Sequence, residues 1–462
     1  MADVAETRVL SPCGVIGSGF PESSLERGLS MEPHALVCDG GSTDMGPASL
    51  GTGVPHFSRP ATKRDLRLLL LARAQLGVPL IIGSCGTAGG DVGLGWMRDI
   101  CLEIAREEGL GFHLALVHGE QDKEYLKTRM AEGRIAPLDP APELTGEVID
   151  GSAHIVGMMG DEPISEALGQ GADVVLAGRA SDTSIFACVP LRMGADRGLA
   201  WHAAKILECG AACAVSRKRP DGVFAWIRDD HFAIEPLDPE MRCTPQSVAS
   251  HTLYENADPF HILEPGGVLD TTEAAYSAVD ERSVSVRGSA DHLADSYSIK
   301  LEGAELAGYQ SVIVGGVRDP YILRQLDSWL SGMRAGFAER AREILPDGDE
   351  EPDYRLVIRV YGRDAVMGPL EPLAGEIPHE VGLLFEITAG DQETARTLAS
   401  TLSHFAVHYP IPEWSGLISG IAFPFAPAEM DKGPVYRFNM NHIVFPDDPC
   451  EMFPVEYEEA AF

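Results

Sequence analysis

The chain has 462 residues, of which 45% are hydrophobic, so it is long enough for two or three globular domains. Its net charge of −34, without any run of lysine and arginine, argues against a nucleic-acid-binding protein. Nine cysteines without paired spacing argue against a disulfide framework or a zinc knuckle and favour reduced thiols. The sequence shows neither a secretory signal nor an apolar run of the roughly 18 to 20 residues that span a bilayer, so we expect a cytoplasmic protein without a membrane partner.

The first 200 residues alternate short apolar runs with amphipathic stretches, which predicts strands alternating with helices. This order indicates an α/β domain over residues 1–200, built on a mostly parallel sheet covered by helices. A doubly wound sheet is the first expectation, and a barrel-like closure is the alternative. The predicted strands are Val9 with its neighbours, 34–38, 79–82, 113–117, 154–158 and 173–177, and the predicted helices are 63–75, 94–108, 122–131 and 162–168.

The rest of the chain is predicted to be α+β. Residues 201–345 are expected to complete the site, and residues 354–445 to form a small domain after a charged linker at 345–353. Residues 446–462 are expected to be an acidic tail that packs loosely or is disordered. The predicted helices are 201–214, 244–256 (capped by Thr244), 320–344 and 393–408, the predicted strands are 223–227, 232–235, 283–287, 297–301, 310–314, 354–361, 381–388, 417–425 and 436–444, and residues 261–272 are predicted to be a loop.

Three glycine-rich loops follow predicted strands, at residues 37–53, 83–91 and 176–184. Apolar runs that end in such loops are typical of strands whose carboxyl ends face a ligand. The loops carry four aspartates, which can bind a hard divalent cation or act as an acid and a base if they converge. The structural alternative is that each one only caps the following helix or turn. We predict Asp39, Asp44 and Asp182 as catalytic residues, and Asp39, Asp44 and Asp91 as metal ligands.

The backbone of these loops is predicted to hold an anionic substrate, because glycines let amide groups approach a ligand and helix N-termini attract anions. Arg179 is the positive side chain that an acidic protein needs for such a ligand, unless it pairs with Asp182 or Asp161. The second loop is neither G-x-G-x-x-G nor a P-loop, so no nucleotide-cofactor motif is present. The predicted substrate-binding residues are Gly40, Gly41, Ser42, Thr43, Gly83, Ser84, Gly86, Thr87, Gly89, Gly90 and Arg179.

Outside the three loops, Glu264 is the predicted additional acid or base, in the loop at 261–272 that is expected to fold over the first domain. Cys85, before a predicted helix, is a weaker candidate for a nucleophile. No G-x-S-x-G elbow is present, and no lysine stands in an apolar context that would indicate a Schiff base. Carboxylates are therefore the groups on which the predicted chemistry depends.

At these motifs the chain resembles the acyclic terpene utilisation family. The similar segments follow the family's order from about residue 8 to 320, and NMNHIV at 439–444 resembles the long version of the family. The resemblance implies a link to the breakdown of citronellol and geraniol through branched acyl-CoA thioesters, and a small α+β partner, as a domain or as a separate subunit. The similar segments are SPCGVIGSGF at 11–20, VCDGGSTDMGP at 37–47, KRDLRLLLLAR at 63–73, PLIIGSCGTAGGD at 79–91, VVLAGRASDTSIFA at 174–187 and SVASHTLYENADPFHILEPGGVLD at 247–270.

The residues and the resemblance together favour an enzyme of the lyase or hydratase kind that acts on a small carboxylate or an acyl-CoA thioester. Two alternatives stay open. One is a metal-assisted hydrolase of an ester, amide or thioester that uses a divalent metal ion on the same carboxylates. The other is a non-catalytic binding subunit completed by a small partner. A chain of this size and class is also expected to form a homo-oligomer.

Overall fold

The computed structural model describes residues 6–254, 256–345, 352–411, 413 and 420–462 of a mixed α/β protein. The chain divides into two compact units, Met1–Glu305 with Arg437–Phe462, and Leu306–Tyr436. The boundaries predicted at 200, 345 and 354 stay predictions. Among the described helices, none is both long and apolar enough to cross a membrane.

Strands and helices are numbered here in chain order. The strands are β1 Glu6–Ser11, β2 Ala35–Asp39, β3 Leu80–Gly83, β4 Phe112–Val117, β5 Ile135–Pro137, β6 His154–Met158, β7 Val174–Ala177, β8 Ala214–Val215, β9 Val223–Arg228, β10 Phe232–Pro236, β11 Arg242–Cys243, β12 His261–Glu264, β13 Gly267–Asp270, β14 Ala275–Ala278, β15 Val284–Arg287, β16 Ala290–Leu293, β17 Ile299–Val317, β18 Tyr354–Tyr361, β19 Val381–Ala389, β20 Glu429–Val444 and β21 Val455–Ala460. The helices are α1 Glu22–Ser30, α2 Ala48–Thr52, α3 Arg59–Leu76, α4 Asp91–Glu108, α5 Lys123–Ala131, α6 Gly146–Gly151, α7 Glu162–Gly169, α8 Asp182–Arg192, α9 Arg197–Leu207, α10 Pro245–Thr252, α11 Pro320–Arg324, α12 Leu326–Ile344 and α13 Gln392–Val407.

The first unit is built on a sheet of ten strands, counted over the described residues, in the order β14-β15-β10-β9-β1-β2-β3-β7-β4-β21. The strands β1, β2, β3, β7 and β4 in its middle are parallel to one another. The pairings on either side of them are antiparallel. The mostly parallel sheet expected from the sequence is therefore correct only for the middle strands, because short hairpins such as β9–β10 can join antiparallel strands alone. A doubly wound arrangement is not confirmed.

Side chains of the middle strands point alternately to two hydrophobic cores, one on each face of the sheet. Val37 and Ile81 belong to the core that contains Trp201 of α9. Leu36 belongs to the other core, together with Leu66 of α3. Strands buried on both faces read as continuous apolar runs, and this is why the sequence located them.

Most elements predicted in the first unit are confirmed, with small shifts at their ends. The hairpin of β9 and β10 is confirmed by its antiparallel register. Thr244 caps α10 as predicted, since its side chain accepts a hydrogen bond from the Ser247 amide. The predicted helix 201–214 instead begins at Arg197 and ends at Leu207, with a short 3-10 turn following at Gly210–Cys213.

The predicted loop at 261–272 is wrong, because β12 and β13 form a hairpin there. Glu264 pairs with Gly267, so Pro265 and Gly266 make a two-residue turn. Proline sets the φ angle of the first turn position, and Gly266 adopts φ +82°, which glycine tolerates best. Polar residues in this segment obscured the alternation that buries Ile262.

The predicted loose tail at 446–462 is also wrong, because β21 pairs antiparallel with β4 at the edge of the sheet. Phe453 is buried just before this strand. Glu458 accepts hydrogen bonds from both Nε and Nη2 of Arg98, at 2.7 and 2.9 Å. The acidic residues that suggested a solvated tail instead lie on an edge strand, where charged side chains discourage further pairing.

In the second unit, β18, β19 and the later part of β17 pair antiparallel in that order. Trp329 of α12 and Leu398 of α13 belong to its core. The strands predicted at 297–301 and 310–314 are parts of the single long β17, and the helix predicted at 320–344 is divided at Gln325. Residues 346–351 of the predicted linker and 417–419 of the predicted strand 417–425 lie outside the described residues.

Candidate functional site

The three glycine-rich loops lie side by side, because the strands that precede them are neighbours in the order β2-β3-β7. Backbone hydrogen bonds connect the loops. The Gly40 amide donates to the Gly83 carbonyl at 2.7 Å, and the Ser84 amide donates to the Gly178 carbonyl at 2.9 Å. The Arg179 amide donates to the Gly89 carbonyl at 2.9 Å. The sequence pattern therefore located three loops that form one structure at the carboxyl edge of the parallel strands.

Close packing between the loops explains several of their glycines. A Cβ atom at Gly40 would lie 2.5 Å from the Gly83 carbonyl oxygen. Gly41 and Gly89 have φ values of +143° and +68°, and a Cβ at either would overlap the backbone of a neighbouring loop. Because the amides of Gly40 and Ser84 already donate within the protein, they are engaged without a ligand. The substrate-binding role of these loop residues stays a prediction.

The other predicted loop residues have structural partners of their own. Ser42 caps a 3-10 turn by accepting a hydrogen bond from the Asp44 amide at 3.1 Å. Thr87 accepts one from the His56 amide at 2.9 Å. A Cβ at Gly83 would overlap Ile185, one at Gly86 would overlap Gly93, and Gly90 is the N-cap of α4.

Arg179 forms a buried ion pair with Glu302, a residue that the sequence reasoning missed. The Arg179 Nε atom donates to Glu302 Oε2 at 2.8 Å, and both residues are 6% exposed. Glu302 Oε1 accepts from Thr43 at 3.0 Å and from Lys300 at 2.9 Å. Burial alone raises the pKa of Glu302, but the positive charges of Arg179 and Lys300 outweigh it and lower that pKa to about 2. The same balance of burial against the charge of Glu302 raises the pKa of Arg179.

A cavity of about 340 Å³ opens beside this ion pair. It brings together Asp44, Arg179, Asp182 and Glu264 from the predicted site. Two charged residues that the sequence reasoning missed, Lys205 and Glu208, line it as well.

Glu264 is half-buried at the wall of this cavity, at the end of β12. Its carboxyl group accepts a hydrogen bond from the Ser181 hydroxyl. Burial raises the pKa of Glu264 to about 7, although hydrogen bonds from Ser181 and Thr183 and the charge of Lys205 act to lower it. A carboxyl group with such a pKa exchanges protons readily near neutral pH.

Glu208 and Lys205 form a second buried pair, with Lys205 Nζ 2.6 Å from Glu208 Oε1. Burial raises the pKa of Glu208 to about 8, and the negative charge of Asp182 adds to this against the attraction of Lys205. Burial acts to lower the pKa of Lys205, but Glu208 outweighs it and raises that pKa. The cavity thus holds two carboxyl groups whose pKa values lie close to neutral pH.

Comparison with known proteins adds a family assignment to this geometry. Residues 87–215 match the model of the acyclic terpene utilisation family protein AtuA. The segment contains Arg179, Asp182, Lys205 and Glu208, whereas Glu264 and Glu302 lie outside it. No curated protein and no solved structure matches the chain.

The sequence does contain a sign of the Lys205–Glu208 pair, because a lysine and a glutamate stand three residues apart in a helix. Lys205 and Glu208 follow Ala203 and Ala204 in the predicted helix 201–214, next to the apolar residues Ile206 and Leu207. A charged pair with this spacing in an apolar helix indicates an internal ion pair. Contrary to the prediction, a lysine does stand in an apolar context, since Lys205 is 7% exposed.

Two predicted aspartates lie away from the cavity wall. Asp39 is buried behind it, where its Oδ1 atom accepts from the Gly40 amide at 2.8 Å. Burial and the nearby charge of Asp182 raise the pKa of Asp39 well above its usual value. Asp91 is exposed at the start of α4 and lies 2.9 Å from Nδ1 of His118. The catalytic and metal-binding roles of Asp39, Asp44, Asp91 and Asp182 stay predictions.

Cys85 is fully buried beneath the second loop. Burial, with the charge of Asp39, raises the pKa of its thiol well above the usual value. A nucleophilic cysteine needs the opposite shift, so this environment favours a structural role.

One group of potential metal ligands occurs among the described residues, next to the cavity. Glu208, Cys209 and His251 each offer a ligand atom, and these atoms lie within 4.8 Å of one another. Sequence reasoning missed this group, because Cys209 and His251 are 42 positions apart in the chain.

Proposed function

We propose that the chain is a cytoplasmic lyase of the hydro-lyase type, which acts on a small carboxylate or on the acyl part of a CoA thioester. One observation carries this proposal: Glu264 and Glu208, with pKa values of about 7 and about 8, line one cavity together with Arg179 and Lys205. Family membership supports kinship with acyclic terpene utilisation proteins and names no reaction.

The two carboxyl groups suit the addition of water to a double bond beside a carbonyl group. Such a reaction needs a base that takes a proton from water and an acid that donates one to the α-carbon. Glu264, with a pKa of about 7, is assigned as the base, and Glu208, whose pKa burial raises further, is assigned as the acid. The reverse reaction eliminates water by exchanging these two roles.

The cationic side chains at the wall suit an anionic substrate. With a net charge of −34, the protein needs a local positive feature to attract a carboxylate. Lys205 and Arg179, each of which pairs with a glutamate in this structure, are the cationic groups at a cavity of about 340 Å³, a volume suited to a small acid or to the acyl end of a thioester.

A panel of unsaturated acids, hydroxy acids and their CoA thioesters tests the proposal, with turnover measured by the change in ultraviolet absorbance of the conjugated double bond. Glu264→Gln is expected to lower kcat by roughly 100-fold or more, the usual effect of losing a general acid–base group. Asp161→Asn is the matched control, because burial also raises the pKa of Asp161, to about 6, outside the cavity wall. Unchanged turnover in the Glu264→Gln variant would overturn the assignment.

A metal-assisted hydrolase of an ester, amide or thioester is the second candidate. The group of Glu208, Cys209 and His251 favours it, since three ligand atoms of different chemistry lie together at the edge of the same cavity. Loss of turnover after chelation, with recovery on adding the metal, distinguishes this candidate from the first.

We also propose that the chain forms a homo-oligomer and associates with a small α+β partner subunit. The resemblance to long members of the family supports the partner. Native mass spectrometry of the chain, alone and after purification from its source, measures both states. A non-catalytic binding role gains support if turnover appears only when that partner is present.

A further inference from the structure

Three residues of the first unit place one oxygen, one sulfur and one nitrogen ligand close together. Glu208 and Cys209 directly follow α9, and His251 lies in the last turn of α10. Their ligand atoms are all within 4.8 Å of one another. Atoms bound to one tetrahedral Zn²⁺ lie about 3.5 Å apart. Movements of the side-chain ends by about 1 Å are therefore enough to bring these three atoms around one ion.

His251 supplies the strongest sign that a ligand is expected here. The residue is 8% exposed, and its Nε2 atom is buried without a hydrogen-bond partner among the described residues. The ring bonds to the backbone of Lys205, an arrangement that metal-binding histidines commonly make through their second nitrogen. A buried nitrogen without a partner is costly, and a metal ion would satisfy it.

The donor set selects the metal. Thiolate, imidazole and carboxylate together are the ligands of zinc sites, whereas calcium and magnesium take oxygen ligands. Three protein ligands leave a fourth position open, as in catalytic rather than structural zinc sites.

Both sides of the group face open space. Glu208 lines the cavity of about 340 Å³. Cys209 lines a second cavity, of about 720 Å³, with Gly14, Val15 and Ser18 of the segment 11–20. The ion can therefore enter from the second cavity, and the open position can be reached by water.

We propose that Glu208, Cys209 and His251 bind a divalent metal ion of the zinc class, with one open coordination position. Glu208 keeps its contact with Lys205 through Oε1, so one carboxylate oxygen is left for the metal. The negative charges of Glu208 and of the Cys209 thiolate balance the two positive charges of the ion. Zinc coordinates the thiolate form of cysteine, so metal uptake displaces the proton of a thiol at Cys209.

Titration of the full metal-free chain with Zn²⁺, and separately with Co²⁺, tests this proposal without any substrate. We expect about one equivalent to bind, with proton release that a pH indicator detects, and a near-ultraviolet thiolate-to-cobalt band in the Co²⁺ form. Cys209→Ser is expected to remove that band, and His251→Gln to weaken affinity by about 10- to 100-fold or more. Circular dichroism establishes that each variant is folded.

Two cysteine variants serve as controls. Cys450→Ser removes a thiol of similar exposure elsewhere in the first unit and is expected to leave binding unchanged. Cys243→Ser removes one thiol of a close pair, since the Sγ atoms of Cys243 and Cys213 lie 3.8 Å apart.

The proposal is overturned if the folded chain takes up no stoichiometric metal, if the band persists in Cys209→Ser, or if Cys243→Ser alone abolishes it. The proposed lyase reaction also uses Glu208, as its acid, so that reaction is tested at Glu264, which is not a ligand of the proposed ion. Unchanged turnover in Glu264→Gln together with stoichiometric metal uptake overturns the lyase proposal alone. Loss of turnover in that variant without any metal uptake by the folded chain overturns the metal site alone.

Discussion

Ser181 donates a hydrogen bond to the carboxyl group of Glu264, and so links the turn before α8 to the end of β12. The contact joins the predicted loop at 176–184 to the β12–β13 hairpin, which was not predicted from the sequence. Removing this hydrogen bond is therefore expected to change the pKa of Glu264, the proposed base.

Ser181→Ala is expected to raise the pKa of Glu264 above about 7, because the lost hydrogen bond favours the ionised form. The acidic limb of the pH profile of kcat/KM should then move upward by about half a unit to one unit. Ser24→Ala is the matched control, since Ser24 is a buried serine that donates to Asp221 at 2.8 Å. A profile that shifts equally in both variants would contradict Glu264 as the titrating base.

Stability should fall as the pH rises through the titration of Glu264. Its pKa is raised from 4.5 to about 7 in the folded state. Below pH 4.5 the carboxyl group is neutral in both states and its burial does not lower stability. As the pH rises from 4.5 through 7, the unfolded state loses the proton more easily, so the unfolding free energy falls. Glu264→Gln is expected to gain roughly 1 to 3 kcal/mol of unfolding free energy at pH 8 and nothing at pH 4. Urea unfolding at the two pH values measures this, with Glu143→Gln at an exposed position as the control.

Glu302 should have the opposite dependence. Its pKa is lowered from 4.5 to about 2, so its contribution to stability is complete above 4.5 and is lost as the pH falls towards 2. Glu302→Gln leaves Arg179 buried without its partner and is expected to lower the unfolding free energy at pH 7 by roughly 3 to 5 kcal/mol.

Glu103→Gln is the informative comparison for Glu302. The pKa of Glu103 is also about 2, through hydrogen bonds from Arg59 and Lys63, but this pair lies on the surface. Solvent screens exposed ion pairs, so a much smaller loss of stability is expected in the same unfolding experiment. Equal losses in the two variants would show that burial does not determine the strength of the Arg179–Glu302 pair.

Gly89→Ala should be far more destabilising than Gly77→Ala. Both glycines have φ +68°, so the backbone strain of an alanine is the same, about 1 to 2 kcal/mol. A Cβ at Gly77 meets nothing within 4 Å, whereas one at Gly89 overlaps the backbone of Arg179. Thermal unfolding of the two variants measures the packing contribution as the difference between them. Similar melting temperatures would mean that the loops are not held against each other as described.

Sequence patterns located the parallel strands and the loops after them because both are local signals. Continuous apolar runs mark strands buried on two faces, and glycines mark backbone that approaches another chain segment. For some glycines the structure shows a partner that the sequence patterns did not name. At Gly40 and Gly89 the approaching partner is a neighbouring loop.

The sequence by itself located glycine-rich loops at residues 37–53, 83–91 and 176–184 after strands, and it named Arg179, Asp182 and Glu264, which line one cavity, as candidates. Only the tertiary structure decided that Arg179 pairs with Glu302, that Lys205 and Glu208 turn into the cavity, and that β21 returns to pair with β4. Strand and loop propensities act over a few residues, whereas these contacts join positions that are distant in the chain. Which distant positions meet depends on strand order and on burial of charge, and neither is written in any local pattern.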